Sequence, residues 1–191
     1  MIETILFVVS ISATIFSALG MLCKKMTNLI LGQLLANSLL CLQYVLENAW
    51  SAAYTLPPAI ALLLISFIYN HKRKSIPKWI TNTFIIIFGG IVLFQILVRT
   101  KNGWDFIFLA DVLVFAALVL FVICITREKS YQSRICTVIN SLLWLTYDII
   151  CAPSAILTHS VILLFTVIGI ICNDRKEWKY VFRLTKGGKL H

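Results

Sequence analysis

The sequence contains little charge and few of the residue patterns that catalyse reactions or hold metals. Only 13% of its 191 residues are charged, and three are histidine. It has no HExxH pair, no phosphate-binding glycine loop, no dinucleotide-binding glycine motif and no catalytic triad signature. We therefore predict that the protein is not an enzyme and that it needs no cofactor and no metal.

Paired cysteine motifs are missing as well. None of the six cysteines forms a CxxC pair or stands at metal-binding distance from a histidine. Most lie within or at the ends of apolar runs, so we predict that they are small apolar side chains rather than disulfide partners. They are Cys23, Cys41, Cys124, Cys136, Cys151 and Cys172.

Apolar residues dominate the rest of the chain. They make up 60% of it, and the mean hydropathy is +0.91, far from the usual composition of a soluble protein. A membrane-spanning helix needs about 20 apolar residues, and seven such runs are separated by short polar connections. We predict an all-α integral membrane protein with seven transmembrane helices at roughly 2–22, 29–47, 52–70, 79–98, 105–125, 134–151 and 155–172.

Basic residues test this count of seven. If alternate connections lie on opposite sides, fifteen of the 17 Lys and Arg residues fall on one side, and only Arg99 and Lys101 on the other. The positive-inside rule then places the N-terminus outside and the C-terminus in the cytoplasm. This pattern explains the net charge of +9 without nucleic acid. It also predicts anionic lipids of the bilayer as partners at the cytoplasmic face.

An internal repeat organises the seven helices. The octapeptide at 37–44 returns at 140–147, and 13 of the 34 positions from 37 to 70 are identical to the residue 103 positions later. Helices 1–3 therefore match helices 5–7, with one odd helix between them. Two such units enter the membrane in the same direction. We predict a first triple-helix bundle at 1–74, a linker helix at 75–103, a second bundle at 104–173 and a basic cytoplasmic tail at 174–191. In the linker, Gly89 and Gly90 predict a close helix contact.

A family resemblance rests on three features of the sequence. They are the 3+1+3 plan, the polar and aromatic stretch 140–148, and the small-residue turns at 51–53 and 152–155. The chain resembles the SWEET and PQ-loop superfamily of small transporters, and within it the bacterial YgjV-like inner-membrane proteins. The resemblance implies location in the plasma membrane, alternating access between two bundles, and binding of sugars by paired Trp and Asn. A PnuC-like vitamin transporter has the same 3+1+3 architecture and also fits.

Two matching helical faces provide the candidate binding residues. In each copy the candidate residues follow one another at intervals of three and four positions, so they share one side of a helix. The two asparagines lie about 12 Å into a core of about 30 Å, where symmetric transporters bind cargo. Alternatively each Asn bonds to a neighbouring helix, Trp144 packs or faces lipid, and the two tyrosines belong to an interfacial aromatic belt. The predicted substrate-binding residues are Asn37, Cys41, Tyr44, Asn140, Trp144 and Tyr147.

Three titratable residues and one proline pair complete the set. Asp111 and Asp148 lie within apolar runs, where acids usually face a cavity or a partner. Together with His159 they are predicted to couple transport to protons or cations, to hydrogen-bond an outer gate, or simply to be solvated. Pro57 and Pro58 are predicted to kink the third helix as a gate hinge.

These features favour a small transporter or facilitator that moves a small polar metabolite, such as a sugar, vitamin, nucleoside or amino acid, by alternating access. The alternative is a non-transporting membrane scaffold or sensor subunit. The oligomeric state is left open by the sequence, with a homo-oligomer among the options.

Overall fold

The computed structural model describes residues 2–99, 106–127 and 129–174. This part of the chain contains no β-strand and consists of seven long helices, one short helix and a single 3-10 turn. They are α1 (Ile2–Leu22), α2 (Met26–Leu46), α3 (Trp50–Ala53), α4 (Leu56–His71), α5 (Lys78–Arg99), α6 (Phe106–Ile125), α7 (Ser130–Cys151), the 3-10 turn Pro153–Ala155 and α8 (Ile156–Asn173).

The all-α class and the seven long helices agree with the sequence-based prediction. Five of the helices are long and apolar enough to cross a membrane, namely α1, α2, α5, α7 and α8 with its preceding turn. The remaining two, α4 and α6, are apolar, and the 16 residues of α4 reach about 24 Å. The basic tail predicted at 174–191 lies outside the described residues except for Asp174.

The exterior of the helices is apolar, whereas the interior holds many polar side chains. Phe7, Ile86, Phe94 and Ile149 are each at least 65% exposed. Inside, Gln43, Asp111, Arg134 and Asp148 are completely buried, together with many Ser and Thr residues. Lipid tails surround membrane helices with an apolar solvent, so polar groups gather between the helices. This distribution supports a membrane protein.

Helix α2 packs between α1 and α4, and α7 packs between α6 and α8. Helix α5 lies against α6, and α1 also packs along α8, so the first and the last of the described helices are neighbours. In the repeat, α4 corresponds to α8 and α6 to α1. The contact between α4 and α6 is therefore the counterpart of the contact between α1 and α8, and it is much smaller. The two copies therefore do not pack against each other symmetrically.

Glycine allows a very close helix contact between α1 and α2. A Cβ atom built on Gly32 would lie 2.5 Å from the Cα atom of Gly20 and 2.9 Å from the carbonyl oxygen of Phe16. The close contact predicted at Gly89 and Gly90 is wrong, because a Cβ atom there would meet nothing nearer than 3.7 Å. Small residues let helix backbones approach each other in membranes, and here the first hairpin uses them.

A buried arginine fixes the end of α1. Arg134 has no exposed surface and forms an ion pair with Asp174 at the end of α8. Its guanidinium also donates to the carbonyl oxygens of Met21, at 3.2 Å, and Cys23, at 2.5 Å. These carbonyls belong to the last turn of α1, where a helix has no internal donors for them. The positive charge also suits the negative end of the helix dipole.

The sequence predicts that the sixth transmembrane helix begins at residue 134, with Arg134 counted among the basic residues of the cytoplasmic side, and the structure starts this helix one turn earlier. Helix α7 begins at Ser130, so Arg134 stands in its second turn. The end of the bundle that holds this residue also gathers the connections after α1, α4 and α6. We call it the basic end.

The kink predicted at Pro57 and Pro58 is not present at these residues. Helix α4 begins at Leu56, which places both prolines in its first turn. The backbone nitrogens of a first turn have no partner within the helix, so proline removes no hydrogen bond there. The pair starts α4 instead of bending it.

Adding a methyl group at Gly32 tests the contact between α1 and α2. We expect Gly32→Ala to destabilise the folded protein by about 1–3 kcal/mol, because overpacking forces backbones apart. Thermal unfolding in a mild detergent measures the change. Gly90→Ala is the matched control, since nothing lies within 4 Å of its Cβ position, and it should leave the unfolding temperature unchanged or raise it. Equal effects of the two substitutions would contradict the assigned contact.

Candidate functional site

A small cavity lies between the helices in the middle of the bundle. Its volume is about 50 Å³, and residues from α1, α2, α4, α6, α7 and α8 surround it. The residues that line it are Ser17, Met21, Gln33, Asn37, Leu40, Tyr44, Leu56, Ala59, Leu118, Phe121, Thr137, Asn140, Ser141, Trp144, His159 and Ile162.

Both repeat-related asparagines line this cavity. Among the lining residues, Asn37 and Asn140 are the only pair that is identical in the two copies. The amide of Asn37 donates to the backbone oxygen of Gln33 in its own helix, at 2.8 Å. The side-chain oxygen of Asn140 is buried and has no hydrogen-bond partner. Neither asparagine therefore bonds to a neighbouring helix, which was the structural alternative.

Three buried polar atoms of cavity-lining residues have no hydrogen-bond partner among the residues that the structure describes. They are Oε1 of Gln33, Oδ1 of Asn140 and Oγ of Ser141, and none of the three residues is more than 9% exposed. A buried polar atom without a hydrogen bond costs about 1–3 kcal/mol. Donors on a bound molecule would remove this cost, so the cavity is suited to a polar ligand.

A polar cluster closes the cavity at the end opposite the basic end. The Asp148 carboxylate accepts a hydrogen bond from the Tyr44 hydroxyl at Oδ1, at 2.9 Å. Its other oxygen, Oδ2, lies 2.5 Å from Nδ1 of His159. The three residues belong to α7, α2 and α8. All three are buried, and Asp148 has no exposed surface. Asp148 and His159 lie together, as the sequence suggested.

The rings of Trp144 and Tyr147 pack against the rings of Tyr44 and His159 in this cluster. The Trp144 ring stacks on His159, with ring centres 5.7 Å apart and planes at 5°, and on Tyr44 at 6.1 Å. Tyr147 packs edge-on against Trp144 and Tyr44. Both tyrosines are only 1% exposed, so the aromatic-belt interpretation is wrong. Trp144 packs against protein rings in this conformation, and only part of its surface meets the cavity.

The cluster places a carboxylate beside an imidazole and a phenol hydroxyl. A carboxylate is costly to bury among apolar helices unless such partners compensate its charge. Within the described residues, no group of three His, Cys, Asp or Glu side chains lies close enough to hold a metal ion.

Hydroxyl groups continue the polar layer between helices. Thr158 of α8 lies 3.0 Å from the hydroxyl of Thr14 and 3.4 Å from that of Ser10, both in α1. Gln43 of α2 donates to Ser154 at 2.6 Å. These contacts tie the two ends of the chain together at the same level as Asp148.

Three predicted site residues lie elsewhere. Cys41 is half-buried and does not line the cavity. Tyr147 does not line it either and packs against Trp144 and Tyr44, which do. Asp111 is fully buried in α6 but is not among the lining residues. The six cysteines are free, and only Cys124 is fully buried.

Several lining residues were not predicted, among them Gln33, Thr137 and Ser141. Gln33 precedes Asn37 by four residues and Thr137 precedes Asn140 by three, so extending both faces by one turn would have found them. Ser141 precedes Trp144 by three residues and therefore lies beside the predicted face of α7. The lining face of α2 runs through Gln33, Asn37, Leu40 and Tyr44, one step around the helix from the face predicted through Cys41.

No family model, curated protein or solved structure matches the chain significantly. The described fold is that of an all-helical protein with five helices able to cross a membrane.

Removing one hydroxyl group tests the polar cluster. We expect Tyr44→Phe to lower the free energy of unfolding by about 1.5–3 kcal/mol, because Asp148 loses a donor to a charged acceptor. Denaturation in detergent, followed by circular dichroism, measures the loss. Tyr54→Phe is the matched control, since Tyr54 is 59% exposed. A Tyr44→Phe protein as stable as this control would refute the assigned hydrogen bond.

Proposed function

We propose that this protein is a small membrane carrier that binds a small polar metabolite in the central cavity and exposes it alternately to the two sides of the membrane. The observation that carries the proposal is the repeated asparagine pair on one cavity, beside three buried polar atoms that lack protein partners. A molecule with several hydroxyl or amine donors would satisfy all of these groups.

The packing of the helices supports a 3+1+3 arrangement. The helices α1, α2 and α4 form one set of neighbours, α6, α7 and α8 form another, and α5 connects the two. With an odd connector, the two sets enter the membrane in the same direction. The distribution of basic residues supports an N-terminus outside and the basic end in the cytoplasm. This arrangement is also what the resemblance to SWEET-like and YgjV-like transporters implies.

Transport would require the cavity to open. One water molecule needs about 10–15 Å³ of cavity volume. The central cavity, at about 50 Å³, therefore holds only a few waters and is too small for a sugar or a vitamin. The described conformation is therefore an occluded one in this scheme. The Asp148 cluster closes one end and Arg134 closes α1 against α7 and α8 at the other. Alternating access opens one of these closures at a time.

Asp148 and His159 link this movement to protons in the proposed mechanism. The charged Asp148 holds Tyr44 of the first copy and His159 of the second. Protonation of the carboxylate removes the ionic part of this contact and weakens the closure. Proton uptake from the outer side would thus accompany opening at that side. The same residues therefore serve as outer gate and as coupling site.

The small volume of the cavity is the observation that favours the alternative, a non-transporting membrane scaffold or sensor. A screen of purified protein separates the two functions. Sugars, vitamins, nucleosides and amino acids are added one class at a time, and a ligand present at about 100 times its dissociation constant stabilises the folded state by about 2.7 kcal/mol. Stabilisation by one class supports the carrier, and stabilisation by none supports the alternative.

Substitutions at the cavity test the binding residues. With the metabolite found by the screen, we expect Asn140→Leu to weaken binding at least about tenfold, because a lost polar contact leaves a ligand group unpaired at a cost of about 1–3 kcal/mol. Asn140→Leu combined with Trp144→Ala should abolish uptake into proteoliposomes. Leu142→Ala on the exposed face of α7 is the control. Unchanged binding in a folded double variant would exclude this site.

Neutralising Asp148 tests the coupling. We expect uptake by the native protein to depend on pH, and uptake by Asp148→Asn to lose most of this dependence, since the amide cannot take up the proton that the carboxylate would bind. Proteoliposomes with an imposed pH gradient provide the measurement. Glu3→Gln removes an exposed carboxylate and should behave like the native protein. Uptake that ignores pH in native and Asp148→Asn protein alike would contradict proton coupling.

A further inference from the structure

A second and much larger cavity lies at the basic end, between the start of α2, the end of α4 and the end of α6. Its volume is about 830 Å³. Four of the twelve lining residues are cations, namely Lys25, Arg73, Lys74 and Arg127, and none is Asp or Glu. The central cavity shares no residue with it.

Within the part of the chain that the structure describes, the four cations form no ion pair with an acidic side chain. Among the described residues, the ion pairs are those of Arg134 with Asp174 and of His159 with Asp148. Basic residues are expected at this end from the positive-inside pattern, but topology alone does not place four of them around one concavity. Like charges in a concave surface raise the local potential and attract anions.

The start of α2 adds further positive potential. Lys25 is the residue before the helix, and no side chain caps the helix there. Met26 and Thr27 of the first turn line the cavity. The first backbone N–H groups of a helix have no internal partner and carry a partial positive charge, which favours phosphate groups.

The second copy of the repeat shows what the first copy lacks. At the same offset of 103 residues, Leu31 and His71 correspond to Arg134 and Asp174. In the second copy this pair is a buried ion pair that joins α7, α8 and the end of α1. In the first copy Leu31 and His71 form no such ion pair, and α4 and α6 make only a small contact. The four cations stand at other positions and line the cavity between α2, α4 and α6. An external anion bound to them would join these helices by ionic contacts, as the pair of Arg134 and Asp174 joins helices in the second copy.

We infer that this basic cavity binds a phosphate-bearing anion, either the headgroup of an anionic lipid or a free phosphorylated small molecule. Arginine forms paired hydrogen bonds with phosphate oxygens, and lysine adds point charges. The volume exceeds that of a lone phosphate and falls in the range of small-molecule sites, about 300–1,000 Å³. Bound there, the anion would bridge α2, α4 and α6. The inference holds whether or not the central cavity carries a cargo.

The test compares two charge-neutralised proteins of equal net charge. The cavity variant carries Arg73→Gln, Lys74→Gln and Arg127→Gln. The control variant carries Lys24→Gln, Lys72→Gln and Lys129→Gln, which are exposed at the same end but do not line the cavity. Native protein and both variants are purified in neutral detergent. Each is then titrated with phosphatidylglycerol, with phosphatidylcholine and with inorganic pyrophosphate, and the unfolding temperature is recorded.

We expect phosphatidylglycerol or pyrophosphate to stabilise the native and control proteins at concentrations at least about tenfold lower than for the cavity variant. Stabilisation by the lipid alone identifies a headgroup site, and stabilisation by pyrophosphate identifies a site for free phosphates. Phosphatidylcholine, which has no net charge, should have no such effect.

If the cavity variant and the control variant lose the stabilisation by phosphate probes to the same extent, the inference is overturned, because general charge attraction would then explain binding. The absence of any effect of both phosphate probes on the native protein would overturn it as well. If the triple variant does not fold, Lys74→Gln and Arg127→Gln are tested singly. Each should weaken stabilisation relative to Lys24→Gln, and equality with that control would refute the site.

Discussion

Two buried charges on α7 hold the helices of this protein together. Arg134 and Asp148 are both without exposed surface, and the 14 residues between them in the helix span about 21 Å. Each has found its partners on other helices: Arg134 on α1 and α8, Asp148 on α2 and α8. Breaking a buried ion pair on one side only costs about 3–5 kcal/mol. The position of α7 relative to its neighbours is therefore set at both ends.

The central cavity lies between these two fixed levels. Charged and aromatic side chains flank it on one side, and the contact of Arg134 with the end of α1 lies on the other. Gln33, Asn140 and Ser141 contribute buried atoms that have no hydrogen-bond partner among the described residues. A protein that only needed stability would be expected to fill such positions with apolar side chains, since an unsatisfied polar atom lowers stability. These polar atoms therefore connect the packing with the proposed binding of a polar metabolite.

The two copies of the repeat have diverged in what they contribute. The second copy supplies both buried charges of α7, the stacked Trp144 and His159. The first copy supplies Tyr44 as a donor, the glycine contact of α1 with α2, and the cation-lined cavity at the basic end. Among the cavity-lining residues, only Asn37 and Asn140 are the same amino acid at equivalent positions of the two copies. Two unequal copies are suited to a binding site that must distinguish the ends of an asymmetric ligand. They are also suited to a bundle that closes more firmly at one end than at the other.

The sequence alone determined the helical class, the number of long helices and most of their bounds, because apolar runs of membrane length leave few alternatives. It also identified the asparagine pair and the acid and histidine of the cluster, since polar residues are scarce and costly in such a chain. It failed where the rotation of a helix mattered. Cys41 and Leu40 are adjacent on α2, and only packing decides which of them lines the cavity. The start of α7 was predicted four residues late, because a helix start read from hydropathy misses a first turn of polar residues. Only the tertiary structure placed Asp174 and carbonyl oxygens at the end of α1 around the Arg134 guanidinium. The closing of the cavity by side chains of several helices, the grouping of four cations around one concavity and the unequal packing of the two copies were likewise decided by the tertiary structure, because each depends on contacts between helices far apart in the chain.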